Sequence, residues 1–352
     1  MNYGYNNWRS GGSRSRRRRR QRMIKTIILS LIVALIIAGS AVFLFTLKRM
    51  GERAKDRETA TESASDTLAP ESAPEDTASG VLREGFITRK FTEKDLHRGE
   101  LILVRADVPY VFPEETDLTD LYTGRKKYED GSRAYQISST DIELDSFVLS
   151  KLNELTEVFY ETTGERGLLV KSAYRSYESQ KEIFDYRVER DGEEEALKYV
   201  AKPGESEHHT AMAFDMSVYK DGVNTYIQDE EDYLWVYENA HKYGFILRYP
   251  ENKADITGIS YEAWHFRYVG VPHAYYMYTE GLVLEEYLEL LSEKHAYDGI
   301  HLNIDCDDGN KYEIYYVPAS DDGSADIILP AGYEYTVSGN NTDGFIVTVL
   351  LS

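Results

Sequence analysis

The chain of 352 residues has one cysteine, Cys306, so no disulfide can form within it and the fold must rely on its core. That cysteine is also a poor nucleophile. It sits in Asp305-Cys306-Asp307-Asp308, where flanking carboxylates raise the thiol pKa. No Gly-x-Ser-x-Gly elbow is present to raise a catalytic serine above a sheet, and no internal repeat marks a solenoid. Acidic residues are missing altogether from positions 1–47. That stretch holds nine of the forty basic residues, Arg9, Arg14, Arg16 to Arg20, Arg22 and Lys25. Residues 48–352 carry 31 basic against 61 acidic residues, a balance of −30. A body this acidic argues against nucleic acid as a partner and is repelled by anionic lipid.

The one long hydrophobic run is Ile27 to Leu47, 21 residues without a charge. At about 1.5 Å per residue a helix of that length reaches roughly 31 Å, enough to cross a bilayer core. The Arg16–Arg20 run just before it is expected to stay cytoplasmic, which places the rest of the chain outside as a single-pass cell-membrane protein. The rival reading is a cleaved signal peptide with Gly39-Ser40-Ala41 near the cut, but the apolar run continues through Phe43, Leu44 and Phe45. Residues 48–80 are acidic and rich in Ser, Thr, Ala and Pro, with almost no large apolar side chains. Such a segment is expected to be a flexible, self-repelling stalk.

The organisation expected is therefore a basic tail (1–26), a transmembrane anchor (27–47), a stalk (48–80), a folded α+β domain (81–295) and a small β-rich appendage (296–352). In the folded domain Leu101–Val104 reads as a short buried strand and Asp141–Thr163 as an amphipathic helix. A strand runs from Gly167 to about Tyr174, and Ser176 can cap a helix to about Glu189. Met212–Val218, Phe245–Leu247 and Trp264–Val269 read as strands. Glu230–Tyr243 and Pro272 to about Leu291 read as helices, the latter with Pro in its first turn. Beyond His295, short strands near Val317, Ile327–Leu329, Tyr333–Val337 and Phe345–Leu350 alternate with turns. That appendage is marginal alone and is expected to pack on the main domain.

Two constellations carry chemistry. One is Ser206-Glu207-His208-His209-Thr210-Ala211-Met212-Ala213-Phe214-Asp215, the other Glu262-Ala263-Trp264-His265. Zinc takes imidazole and carboxylate ligands, and a catalytic site leaves a fourth position open. His208 in a turn, Asp215 on the next strand and His265 on another could converge on such a site. Strand alternation puts Ala213 and Asp215 on one face, with Met212, Phe214 and Met216 toward the core. His265 and Arg267 then project opposite to Trp264 and Phe266. Glu262 lies near the strand entrance, placed to take a proton from an activated water and pass it to a leaving amine. Spacing alone is equally compatible with satisfied structural polar residues. His209 is expected to point away from the ligands in a supporting role, and His241 to suit a helix C-terminus. His97, His273, His295 and His301 have no metal-ligand companions at useful spacing.

The run from Ser206 through His208 to Asp215, with Glu262-x-Trp264-His265 further along the chain, resembles the VanY-like metal-dependent D-alanyl-D-alanine carboxypeptidases. The resemblance extends over much of Leu101 to Gly270. It includes Ser172-Ala173-Tyr174-Arg175-Ser176-Tyr177-x-x-Gln180, Pro203-Gly204, Gly258-Ile259 and Phe266-Arg267-Tyr268-Val269-Gly270. It implies a small antiparallel sheet with flanking helices and one zinc ion per chain held by His208, Asp215 and His265. Glu262 is implied as the base and Arg175 as the group that steadies the oxyanion or orients substrate. Gln180, Ser206 and Trp264 are implied to contact the peptide. The bland alternative for Arg175 is an ion pair at a strand–helix junction. The implied reaction is removal of the terminal D-alanine from peptidoglycan stem peptides, which suits a stalked domain facing the wall. An L,D-carboxypeptidase, a cross-link endopeptidase and a non-catalytic wall-binding module are the alternatives. Ala211 stands where the family usually has Gly, and Ala263 where it often has Pro. If residue 211 needs positive φ, its methyl strains the turn that aims His208 by roughly 1 kcal/mol.

Overall fold

The computed structural model describes residues 85–352. The expected tail, membrane anchor and stalk lie outside these residues, and among the described ones no helix is long and apolar enough to cross a membrane.

Strand β1 (Phe86–Phe91) opens the described chain. Helix α1 (Ser146–Thr163) begins where Asp145 accepts hydrogen bonds from the Phe147 and Val148 amides, and it ends at Gly164, whose φ of 75° suits a residue without Cβ. Val148, Leu149, Leu152, Leu155, Thr156 and Phe159 form its buried face. The helix starts at Ser146, later than the Asp141 expected from the pattern: Ile142 precedes it, and Phe147 in its first turn is exposed.

Strand β2 (Leu168–Ser172) leads into helix α2 (Tyr177–Asp191), capped by Ser176 as its sequence implies. Strands β3 (Ala213–Lys220), β4 (Phe245–Leu247) and β5 (His265–Tyr268) belong to the same central sheet, to which Val223–Thr225 adds a short hairpin partner of β3. Its order is residues 136–137, then β2, β3, β5 and β4. All neighbours are antiparallel except the short first strand, which runs parallel to β2. Phe214, Met216 and Phe266 turn to one face and join the α1 core, as alternation requires.

Glu230–Tyr243 is not one helix. It breaks into short pieces at 231–233, 235–239 and 240–243. Asn239 leaves helical dihedrals at φ −127°, and its side-chain amide donates to the Trp235 carbonyl at 2.9 Å. That side chain competes for the acceptor a continuing helix would use. The single helix expected over 272–291 is likewise two, α3 (Val271–Glu280) and α4 (Leu284–Lys294). Gly281, at φ 67°, reverses the chain between them while the Leu282 amide returns to the Met277 carbonyl.

Of the remaining strands, β6 (Leu302–Asp305) is one the sequence pattern does not mark, while β7 (Lys311–Pro318), β8 (Ala325–Pro330), β9 (Glu334–Gly339) and β10 (Gly344–Leu350) match the turn-punctuated pattern after His295. Four form a sheet in the order β6-β7-β10-β9, while β8 pairs antiparallel with β1. The sheet packs on α3 and α4 through Met277, Tyr287, Leu291, Ile314, Tyr316 and Ile346. Leu101–Val104 is buried but is not a strand. Instead the Leu101 amide donates to Ser338 Oγ and the Leu103 amide to the Asn340 carbonyl.

This crossing is tight at Gly339, where an added Cβ would run into the Leu96 carbonyl. Gly339→Ala is expected to cost about 1–3 kcal/mol through forced separation of the backbones. Urea denaturation measures it, and an unchanged midpoint would mean the two segments are not in contact.

Candidate active site

Across the central sheet, Ser172, Asp215 and His265 stand in one cross-strand row, since Ser172 pairs with Asp215 on one side and His265 with Asp215 on the other. Opposed residues lie about 5 Å apart, so this register alone brings a carboxylate and an imidazole together. The turn before β3 supplies the third group. Ser206 caps a 3-10 turn over Glu207–Thr210, its Oγ accepting from the His208 amide. The turn closes at Ala211 with φ 59° and ψ 14°, the left-handed conformation that Gly would adopt without strain. The expected strain is therefore present.

His208 Nε2 lies 3.4 Å from Asp215 Oδ1, and His265 Nδ1 lies 3.3 Å from the same oxygen. All three atoms fall within 4.8 Å of one another. Zinc bonds of about 2.0–2.1 Å at tetrahedral angles set ligand atoms roughly 3.3–3.4 Å apart, so the residues fit such an ion. Asp215 Oδ1 is buried and makes no hydrogen bond of acceptable geometry, as a ligand atom aimed at a cation would.

The two imidazoles are held in the required tautomers. His208 Nδ1 lies 2.6 Å from the Ala173 carbonyl, which can only accept, so the proton is on Nδ1 and the Nε2 lone pair faces inward. His265 is turned the other way. Its Nε2 faces Glu207 Oε2 at 3.3 Å, leaving Nδ1 for the site. Tyr249 covers this ring at 4.9 Å.

Glu207 is the group that sequence reasoning passed over. It is fully buried, and Oε1 accepts from Arg248 Nε at 2.7 Å and from Arg267 Nη1 at 3.0 Å. Burial alone would raise its pKa, but the two guanidiniums and His265 hold the carboxyl well below the usual range. Arg248 is in turn gripped by both oxygens of Glu285, at 2.8 and 2.7 Å.

Glu262 Oε2 lies 3.6 Å from His265 Nδ1. Without the proline frequent at position 263, the segment is still fixed, because the Glu262 amide donates to the Tyr249 carbonyl. Burial pushes the Glu262 carboxyl up to about 7, Asp215 adding to the effect while His265 and Arg175 oppose it. His208 is pulled down to about 4, by burial and then by Arg175, and is neutral. His265 behaves differently: burial would lower it, but Asp215 and Glu207 raise it to about 9. The pocket thus calls for a positive charge beside His265, which a metal ion would supply in place of the proton.

Arg175 reaches in from the β2–α2 junction. Its Nη2 meets Asp215 Oδ2 at 2.9 Å, Nη1 meets Gln180 Oε1 at 3.1 Å and Nε meets Ser172 Oγ at 3.0 Å. His209 braces this junction from behind. Its Nε2 accepts from the Gly204 amide, so Nδ1 donates to the Arg175 carbonyl at 2.7 Å. All eight site residues singled out from the sequence line one cavity of about 210 Å³, together with Glu207, Tyr249 and Ile259. Trp264 is among them and does not turn away; it precedes β5 and stacks on Tyr226 at 5.4 Å.

The other polar candidates fall elsewhere. His241 is no charged helix terminus, because burial takes it down to about 4 and it lies flat on Tyr278 at 3.9 Å. Buried His273 bridges Tyr287 and Thr348. Burial, with Asp308, Asp307 and Asp305, pushes the Cys306 thiol up to about 11.

Comparison with known proteins agrees with this geometry. Residues 141–271, which include His208, Asp215 and His265, match the VanY family model, described as D-alanyl-D-alanine carboxypeptidase. A D-alanyl-D-alanine carboxypeptidase of Enterococcus faecium is 32% identical over 261 residues, covering 74% of this chain and 78% of that protein. The chain belongs to the VanY family of D-alanyl-D-alanine carboxypeptidases. A putative carboxypeptidase of Bacillus subtilis, YodJ, is 50% identical over 124 residues, 35% of this chain and 45% of its own. The crystal structure of the vancomycin-resistance D,D-dipeptidase VanXYg, in complex with a D-Ala-D-Ala phosphinate analogue, superimposes with a TM-score of 0.65 at 31% identity. The match covers 75% of this chain and 99% of that one.

Two variants of this carboxypeptidase probe the ligand turn and the carboxylate beneath it. Ala211→Gly relieves the left-handed strain and is expected to raise stability by about 0.5–1 kcal/mol in denaturant titration, net of the greater freedom of unfolded Gly. A loss of stability would show that the Ala211 methyl packs more than it strains. Glu207→Gln is expected to cost about 3–5 kcal/mol, as removal of one partner from a buried ionic group does. Because Glu207 is held below its unfolded value of 4.5, its contribution is complete above that pH and fades as pH falls through the folded value. The variant's stability should therefore fall less steeply below about pH 4.5. Denaturation over a pH series reads this, and equal slopes would remove Glu207 from the acid response.

Proposed function

We propose that His208, Asp215 and His265 hold one zinc ion per chain, and that Glu262 is the base for hydrolysis of the terminal D-alanine of peptidoglycan stem peptides. The observation that carries this reading is the convergence of His208 Nε2, His265 Nδ1 and the orphaned Asp215 Oδ1 on one point, with Glu262 beside it. When bound there, zinc supplies Lewis acidity that polarises the scissile carbonyl and makes water a nucleophile at neutral pH.

The protein's own groups do the rest. Glu262 takes a proton from the attacking water at Oε2 and returns it to the departing D-alanine nitrogen, a transfer suited to a carboxyl lifted by burial. Arg175 places positive charge where the carbonyl oxygen becomes anionic, or pairs with the substrate's terminal carboxylate through two N–H groups. Gln180 and Ser172 hold that guanidinium in position. Gln180 also donates to the Ala201 carbonyl, which fixes its amide orientation. Ser206 and Trp264 line the wall against which the peptide lies. A module that only bound peptide would have no use for Glu262 at the ligand centre.

The reading extends to location. Ile27–Leu47 serves as a single-pass anchor with Arg16–Arg20 on the cytoplasmic side, so that the acidic stalk carries the catalytic domain out to the wall.

Two variants and a chelator test the assignment on the full-length protein. Glu262→Gln should keep one equivalent of zinc by elemental analysis while D-alanine release from pentapeptide falls by at least about a hundredfold. His208→Ala should lose the metal, and chelator should abolish wild-type release until zinc is restored. Wild-type activity that survives chelation would sink the metal mechanism, and full activity of Glu262→Gln would remove it as base. Release from tetrapeptide but not pentapeptide would replace D,D- with L,D-specificity.

A further inference from the structure

A second, larger cavity of about 960 Å³ lies between the central sheet and the C-terminal strands, and the hydrolytic chemistry uses none of it. Phe147, Tyr268, Tyr312, Tyr333 and Tyr335 bring aromatic rings to its walls from separate parts of the chain. Phe147 and Tyr333 stay 58% and 51% exposed, so both rings reach solvent at the mouth of the cavity. Phe147 meets Tyr268 edge-on at 5.9 Å, so two of these rings are in direct contact.

Charged groups are set among these rings. Arg89 lies over Tyr335 at 5.7 Å and Lys151 over Phe147 at 5.7 Å. Glu100 accepts a long bond of 3.4 Å from Thr336, and Glu334 stands on the same rim. The mixture excludes two kinds of ligand. A wholly apolar molecule would desolvate these charges without compensation. A polyanion would meet Glu100 and Glu334 as well as the acidic body of the protein. A neutral polyhydroxylated chain fits both features. Its C–H faces stack on the rings, and its hydroxyl and amide groups bond to the carboxylates and cations.

The cavity is joined to the active site by the same two strands. Met212 and Tyr268 line it, three residues from the ligands Asp215 and His265, a separation of roughly 10 Å along each strand. We propose that this groove binds a segment of the glycan strand, a chain of N-acetylated amino sugars, of the same polymer whose peptide stem is trimmed in the active site. The proposal rests on peptidoglycan being the substrate. The groove raises the local concentration of stems by holding the strand that bears them.

The test uses the full-length enzyme with two substrates and one sugar probe. Tetra-N-acetylchitotetraose is titrated calorimetrically, and D-alanine release is measured from free pentapeptide and from intact peptidoglycan. Wild type should bind the tetrasaccharide. Tyr335→Ala and Tyr333→Ala should each weaken binding about fivefold to tenfold, as loss of a stacking ring does, and Tyr335→Phe should retain it. The alanine variants should release D-alanine from free pentapeptide at the wild-type rate while kcat/KM on intact peptidoglycan falls by a similar factor. Wild type that does not bind the tetrasaccharide overturns the proposal, as do alanine variants that bind it and process intact polymer like wild type. Inactivity of the wild type on both free pentapeptide and free tetrapeptide would instead defeat the hydrolytic reading, and the sugar titration would still decide this one.

Discussion

Glu207 is a carboxylate with no access to water, and it holds the ligand-bearing pieces of the site in one arrangement. An isolated buried carboxylate would be prohibitively unstable. Here Arg248 and Arg267 face it and Glu285 closes the group, so two negative and two positive side chains balance. The charges are desolvated together and bonded to one another, the condition under which a buried ionic group is tolerated. Each member comes from a different element. Glu207 is in the ligand turn, Arg248 comes just after β4, Arg267 is on β5 and Glu285 is on α4. Displacing any one would leave a charge unpaired, so the group fixes relative positions more sharply than apolar packing can.

The two imidazoles of the group that could hold a metal inherit that rigidity. His265 takes its tautomer and ring angle from Glu207, and His208 takes its own from the Ala173 carbonyl. A metal site assembled this way needs little reorganisation when the ion arrives. Its electrostatics point the same way. Asp215, Glu262 and Glu207 all lie within 3.6 Å of the His265 ring nitrogens, a concentration of carboxylates that suits a cation. Arg175 pairs with Asp215 through one nitrogen while Gln180 and Ser172 hold the other two, so the ion pair expected at the strand–helix junction is present and the guanidinium is fixed at the edge of the cavity.

The range of each interaction decides how much of the site and fold is legible in the sequence. Asp215 and His265 can be read because strand alternation is local and both precede residues that must face a core, Met216 and Phe266. The left-handed turn at Ala211 is legible through comparison with a family pattern, not through propensity, since Ala does not favour that conformation. Glu207 is not legible, although it adjoins a ligand. A glutamate in a turn ordinarily faces solvent, and only arginines 41 and 60 residues away give it a buried role. The helix expected over 230–243 is broken in two places, and at the second Asn239 captures a backbone carbonyl, an event that leaves no periodic signature. The pairing of β1 with β8 spans most of the described chain, and Leu101–Val104 has a strand's composition but bonds to a side chain and a loop.

The segment around Leu101 also explains why the C-terminal strands matter to a site that takes no ligand from them. Arg267 has one nitrogen on Glu207 and another on the Glu100 and Ile102 carbonyls. Those residues continue into Leu101 and Leu103, whose amides are held by Ser338 and Asn340 at the end of β9. A chain of contiguous contacts thus runs from His265 through Glu207 and Arg267 to the C-terminal sheet. Loosening that sheet would free the 100–103 segment and remove two acceptors from Arg267, leaving the guanidinium only Glu207 and the Tyr268 carbonyl. The sheet is therefore part of what orients His265, and the cavity it encloses with the central sheet stands directly behind the ligand-bearing strands.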